Sequence, residues 1–168
     1  MSNKTFIIAE LSANHNNDLN TAIETIKAIA KSGADAVKIQ TYKPESLTLN
    51  LQDGYFAPRI EGAWKGYTSW DLYSQAALPY EWHEKLKEIT EDHQMEFFSS
   101  PFDLDAVDYL EKIGVARYKI ASLEINHIPL ISYTASKGKP MIISTGVAQE
   151  NDIENAIKAC HEQGNYDI

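Results

Sequence analysis

"DAVKIQTYKPESL", residues 35–47, decides how the rest of the chain is read. It opens as a strand, yet it sets Lys38 and Gln40 among Val37, Ile39 and Thr41 before running into Pro44 and a polar loop. Side chains alternate along a strand, so Lys38 and Gln40 share one face while Val37 and Ile39 share the other. A strand that is apolar on one side and carries a cation and an amide on the other poses a question about what its polar face meets.

The flanking stretches repeat one grammar. "FIIAE" (6–10) reads as a short buried strand. Leu19, Ala22, Ile23, Ile26, Ile29 and Ala30 recur at helical spacing across 18–32, and Gly33 follows where a helix end favours a residue tolerant of positive φ. After "DAVKIQ" come a helix at about 80–93, strand "MEFFSS", a helix at about 103–113, strand "RYKIAS", and a short helix near 127–137. Strand "PMIIST" and a helix at about 149–163 complete the series, and the closing "YDI" reads as the entrance to another strand. Such alternation predicts an α/β fold with a parallel sheet flanked by helices. Residues 41–79 break the rhythm with Tyr55, Phe56, Trp64, Tyr67, Trp70 and Tyr73 among glycines and prolines. A connection this long inside a compact domain is usually functional, and this one is expected to carry a helix around 69–77 and to cover the mouth of the sheet.

Composition narrows the function. With 168 residues, 43% hydrophobic and 23% charged, the chain reads as one globular domain. Fifteen basic against 24 acidic residues give a net charge of −9, so there is no general attraction for nucleic acid or for an anionic membrane. An anionic substrate would have to be held locally. "FIIAEL" lacks a basic leader, and no apolar run approaches the roughly 20 residues that span a bilayer; a cytoplasmic location is expected. The single Cys160 excludes an internal disulfide and a multi-cysteine zinc site. Neither GxGxxG nor GxxxxGK[ST] is present, which removes the main support for nucleotide binding.

Polar residues gather where strands end: Glu10, Gln40, Ser99 and Ser100, Lys119 to Ser122, and Ser144 with Thr145. In parallel α/β folds ligands bind at the carboxyl ends of the strands, so these positions are expected to converge on one mouth. Lys38 and Lys119 against Glu10 alone would leave a positive excess, which a bound anion would offset. Serines at strand ends are ordinary turn residues singly, but clustered with lysines they read as a phosphate and carboxylate cradle. Asn14 and His15, in the loop after the first strand, are candidates for substrate contact. His83 reads as packing or surface; His93, His127 and His161 lack partners at metal-ligand spacing, and Cys160 falls beside a polar helix face. Gly146, just before a helix start, is a weak anion signal.

At these same residues the sequence resembles the sialic acid synthase family, through "FIIAELSANHN", "SGADAVKIQT", "FFSSPFD", "YKIASLE" and "ISTGVA", in order and across nearly all 168 residues. "AELSANH" together with "GAWKGYTSWDLYSQAALPYEWH" is most similar to the branch that makes pseudaminic acid; the branch that makes N-acetylneuraminate from N-acetylmannosamine is the alternative. The resemblance implies a metal-dependent transferase that condenses phosphoenolpyruvate with an open-chain amino sugar, for the first branch a 2,4-diacetamido-2,4,6-trideoxy altrose. It implies that Lys38 and Gln40 meet substrate and the phosphoenolpyruvate carboxylate region, that Ser100 contacts the carboxylate, and that Lys119, Ser122 and Ser144 hold the phosphate. Glu10 would lie near the sugar's reacting carbon, with Asn14 and His15 nearby. A divalent metal, Mn2+ or Mg2+, would polarise the sugar aldehyde.

The implied fold is a (β/α)8 TIM barrel, which takes about 250 residues. Residues 1–168 hold about its first five βα units. The remaining barrel, two metal-binding histidines and an antifreeze-like domain that completes the site of a neighbouring subunit in a homodimer are expected outside this stretch. Of the metal ligands, none is expected in this chain. A catalytically inactive phosphate-binding or assembly module is the competing expectation.

Overall fold

The computed structural model describes residues 4–168. Five strands, β1 (Ile8–Glu10), β2 (Ala36–Thr41), β3 (Glu96–Pro101), β4 (Tyr118–Ile120) and β5 (Met141–Ile143), pair in parallel in the order of the chain. Strand order identical to chain order is that of a barrel wall; a doubly wound sheet reverses direction at a switch point.

Seven helices accompany the strands: α1 (Leu19–Lys31), α2 (Pro44–Leu47), α3 (Ser69–Ala76), α4 (His83–Asp92), α5 (Leu104–Ile113), α6 (Ile128–Ala135) and α7 (Glu150–Glu162). Their ends are fixed locally. Asp18 accepts from the Thr21 amide at 2.6 Å to start α1, Asp103 does the same for Ala106 in α5, and Thr68 with Asp71 forms a capping box on α3. Gly33, with φ at 83°, turns the chain out of α1 as its position predicts. Helices α1 and α4, α5 and α6, and α6 and α7 pack side by side along one face of the sheet.

Alternation along the strands sorts the residues. Val37, Ile39, Phe97, Tyr118 and Ile120 are buried toward the helices, where Leu86, Leu110 and Leu130 meet them. The opposite face carries Glu10, Lys38, Gln40, Ser100 and Lys119, in register through the pairs Glu10 with Lys38 and Gln40 with Ser100. At the amino-terminal end of that face, Arg117 pairs with Glu96 and lies against the rings of Phe6 and Phe98.

Four sequence expectations are corrected. Strand "FIIAE" begins only at Ile8, and Phe6 and Ile7 stand about half exposed at the sheet edge. "YDI" forms no strand, although the Asp167 carbonyl accepts from the Met141 amide at 2.9 Å, the first bond of a further pairing. Cys160 lies in the core rather than on a polar face. Ser99 faces the helices, because Ser99 pairs with Tyr118 on the outward parity and leaves the inward place to Ser100.

Candidate active site

The strand register brings the inward residues together. Lys38 Nζ lies 3.5 Å from Glu10 Oε2, and the lysine is 2% exposed whereas the Glu10 side chain is half exposed. Burial pulls the Lys38 ammonium below its ordinary value; Glu10 opposes that shift and Lys119 adds to it. Among the described residues Lys119 has no carboxylate at ion-pair distance. The mouth therefore holds two mutually repelling cations, with the half-solvated Glu10 carboxylate beside Lys38 and the buried Glu124 carboxyl acting on Lys119.

Beside them three buried polar atoms lack a hydrogen-bond partner: Ser100 Oγ, Ser122 Oγ and Glu124 Oε2. A buried hydroxyl without a partner costs about 1–3 kcal/mol, so such atoms in a cluster indicate a missing ligand or water. Gly146 comes so near that a Cβ there would sit 3.0 Å from Ser122 Oγ, which joins the loop after β5 to the loop after β4. Ser144, half-buried at the end of β5, is held by its amide to the Ile120 carbonyl at 3.1 Å. Two lysines and two unpaired hydroxyls at adjacent strand ends are donors only or donors in waiting, which is the chemistry of an anion cradle.

Above the cradle opens a cavity of about 630 Å³. Gln40, Ser122 and Glu124 form its floor, and the 41–79 excursion supplies its walls with Leu47, Arg59, Trp64 and Leu72. Arg59 is fixed there by its backbone, whose amide donates to Tyr67 O at 3.0 Å and whose carbonyl accepts from Gly66 N at 2.8 Å. Its guanidinium stands 5.5 Å from the Trp64 ring.

Sequence reasoning missed Glu124 and Arg59. Glu124 was visible in "YKIASLE", but a charged residue just past a strand reads as solvated loop; here burial raises its carboxyl above the ordinary range, with Lys119 among the groups opposing the shift. The count of two lysines against a single carboxylate is corrected by its presence. Arg59 lay in a segment with no periodic pattern to place it.

Asn14 and His15 also sit differently from expectation. Asn14 is exposed and its amide donates to Leu11 O at 3.0 Å, within its own turn. His15 is 1% exposed, accepts from Asn17 N on Nδ1, meets Ala76 O through Nε2 at 3.2 Å, and packs edge-on against Trp82. Both ring nitrogens are committed, so His15 ties the loop after β1 to the end of α3 and is not positioned for substrate contact. The implied metal finds no fit: among the described residues no three His, Cys, Asp or Glu side chains form a group that would hold one.

Consecutive βα units paired in chain order define one wall of a (β/α) barrel, here with a cationic, hydroxyl-lined mouth. Over residues 25–168 the chain matches the NeuB family, and it belongs to that family. It is 44% identical over 163 residues to a pseudaminic acid synthase of Helicobacter pylori, covering 96% of this chain and 47% of that protein. An N,N'-diacetyllegionaminic acid synthase of Legionella pneumophila is 39% identical over 152 residues, covering 90% of this chain and 42% of that protein. The crystal structure of an N-acetylneuraminic acid synthetase from Leptospira borgpetersenii, in complex with citrate, superposes with a TM-score of 0.83 at 31% identity, covering 97% of this chain and 52% of that one. The chain spans about half the length of the curated relatives it matches. The relatives are synthases of nonulosonic acids, a transferase-type family. Among the described residues no helix is long and apolar enough to cross a membrane.

Proposed function

We propose that this chain is the phosphoenolpyruvate-holding wall of a nonulosonic acid synthase, and that the product is pseudaminic acid. The observation that carries the reading is the pair of buried, unpaired hydroxyls of Ser100 and Ser122 beside Lys38 and Lys119. Lys119, Ser122 and Ser144 take the phosphate; Lys38, Gln40 and Ser100 take the carboxylate region, with Glu10 toward the sugar's reacting carbon. The enol carbon attacks the open-chain aldehyde, water adds to the cationic carbon left behind, and the tetrahedral intermediate expels phosphate by C–O cleavage. The cradle's part is electrostatic, holding the anionic groups in place and offsetting their charge. No step is assigned to the metal, because these residues do not hold one. Pseudaminic acid synthases at 44% and 42% identity favour the 2,4-diacetamido-2,4,6-trideoxy altrose as co-substrate.

The test is calorimetric titration of the chain with phosphoenolpyruvate, with and without Mn2+, followed by phosphate release with that sugar and with N-acetylmannosamine. Binding is expected. Turnover with N-acetylmannosamine alone would transfer the chain to the neuraminate branch, binding without turnover would mean a real half-site lacking its metal ligands, and no binding would refute the cradle.

A further inference from the structure

Tyr42 continues the inward row of β2. It stands two residues beyond Gln40, as Gln40 stands two beyond Lys38, and it lines the same cavity as Gln40. The residue is 5% exposed, and its ring is held edge-on by Phe102 at 5.4 Å and by Tyr73 at 6.0 Å. The hydroxyls of Tyr109, Tyr118 and Tyr133 each donate at 2.7 Å, to Tyr80 O, Glu111 and Asp108. Among the described residues the Tyr42 hydroxyl has no such partner, and it is not sealed from solvent as Ser100 Oγ and Ser122 Oγ are. A side chain that is otherwise buried thus ends in an unbonded donor that opens into the cavity.

Packing fixes the ring, so the donor is aimed before any ligand arrives and little freedom is lost on binding. Burial, with Tyr73 beside it, pushes the phenol up to about 12, and the group keeps its proton at neutral pH. The cavity itself is lined by one basic and one acidic side chain among the described residues, Arg59 and Glu124, in contrast to the two lysines of the cradle. Around Tyr42 stand the rings of Tyr73 and Trp64 and the hydroxyl of Ser69. Aromatic faces with a few fixed polar groups suit a neutral, polyhydroxylated ligand, whose C–H surfaces lie on the rings while its oxygens take the donors. We infer that Tyr42 is a co-substrate-binding residue, its hydroxyl donating a hydrogen bond to an oxygen of the neutral sugar that shares the mouth with phosphoenolpyruvate. This rests on the proposed function and gives the sugar a contact from the same strand that supplies Lys38 and Gln40.

Tyr42→Phe removes the donor and keeps the ring against Phe102 and Tyr73; because the hydroxyl has no protein partner, the variant should fold as the parent does. Both chains are titrated calorimetrically with phosphoenolpyruvate, and then with the diacetamido-trideoxy altrose and with N-acetylmannosamine, each with and without phosphoenolpyruvate. Sugar affinity is expected to fall about 3- to 10-fold in Tyr42→Phe, the worth of one neutral hydrogen bond. Phosphoenolpyruvate affinity and the melting temperature should not move. Tyr109→Phe deletes a hydroxyl that is bonded to Tyr80 O away from the cavity, and it should leave both affinities as they are. Unchanged sugar affinity in Tyr42→Phe, an equal loss in Tyr109→Phe, a loss confined to phosphoenolpyruvate, or no sugar binding by the parent would each overturn the inference. Sugar binding that depends on Tyr42 in a chain that does not bind phosphoenolpyruvate would overturn the synthase reading alone.

Discussion

His83 gives the stability of this chain a built-in dependence on pH. The imidazole is 0% exposed, packed between the rings of Tyr80 and Tyr109, and bonded at both nitrogens. Nδ1 meets the Pro79 carbonyl at 3.1 Å, an acceptor only, so Nδ1 carries the proton and Nε2 accepts from Thr41 Oγ1 at 2.8 Å. Burial, opposed by the backbone carbonyls, moves the group from 6.5 down to about 4. The sign follows from linkage: between those values the unfolded chain takes up a proton that the folded chain refuses, so stability is full above about pH 6.5 and falls as pH drops toward 4. A gap of that size corresponds to about 3 kcal/mol. In His83→Gln the amide can still reach Pro79 and Thr41 but does not titrate. That variant should be about 1–2 kcal/mol less stable than the parent at pH 7.5, and the deficit should vanish or invert by pH 4.5. Urea unfolding followed by tryptophan fluorescence at four pH values between these limits measures the difference, in which His15 and the carboxylates cancel. A deficit that stays constant across the series would refute the claim that His83 is held neutral.

Three further outcomes concern the mouth. Lys119→Ala should abolish phosphoenolpyruvate binding with the fold intact, and an unchanged calorimetric affinity would contradict the cradle. Lys38→Met should leave the half-exposed Glu10 solvated and relieve repulsion with Lys119, so denaturant unfolding should show stability unchanged or raised by about 1 kcal/mol while phosphoenolpyruvate affinity falls at least tenfold, about the worth of one charge-assisted bond. Gly146→Ala should push on Ser122 Oγ from 3.0 Å and weaken phosphoenolpyruvate about three- to tenfold without moving the melting temperature; equal affinity would show that the hydroxyl has room to yield.

Much of this was readable in the sequence because period and punctuation are local properties. The alternation in "DAVKIQ" placed Lys38 and Gln40 on one face and the core on the other, and helix ends at Gly33 and Asp103 follow from a glycine and a cap. What failed depended on register or on distant contacts. Ser99 and Ser100 are adjacent, and only pairing with β2 and β4 says which of them turns inward. His15 looked like a loop residue until the far end of α3 and Trp82 closed over it. Glu124 and Arg59 owe their places to the cavity, which is assembled from segments more than 60 residues apart.

Behind the sheet, Ser99 Oγ lies 2.7 Å from Thr41 Oγ1, which in turn meets His83 on α4. Ser99 immediately precedes Ser100, and Thr41 immediately follows Gln40, so these two inward residues each share a peptide with a member of this buried chain. The aim of Gln40 and Ser100 is thereby set in part from the reverse side of the same wall. Substitutions at Thr41, Ser99 or His83 would alter ligand affinity without ever touching a ligand, and a search for influential positions ranked by distance from the cavity would pass over all three.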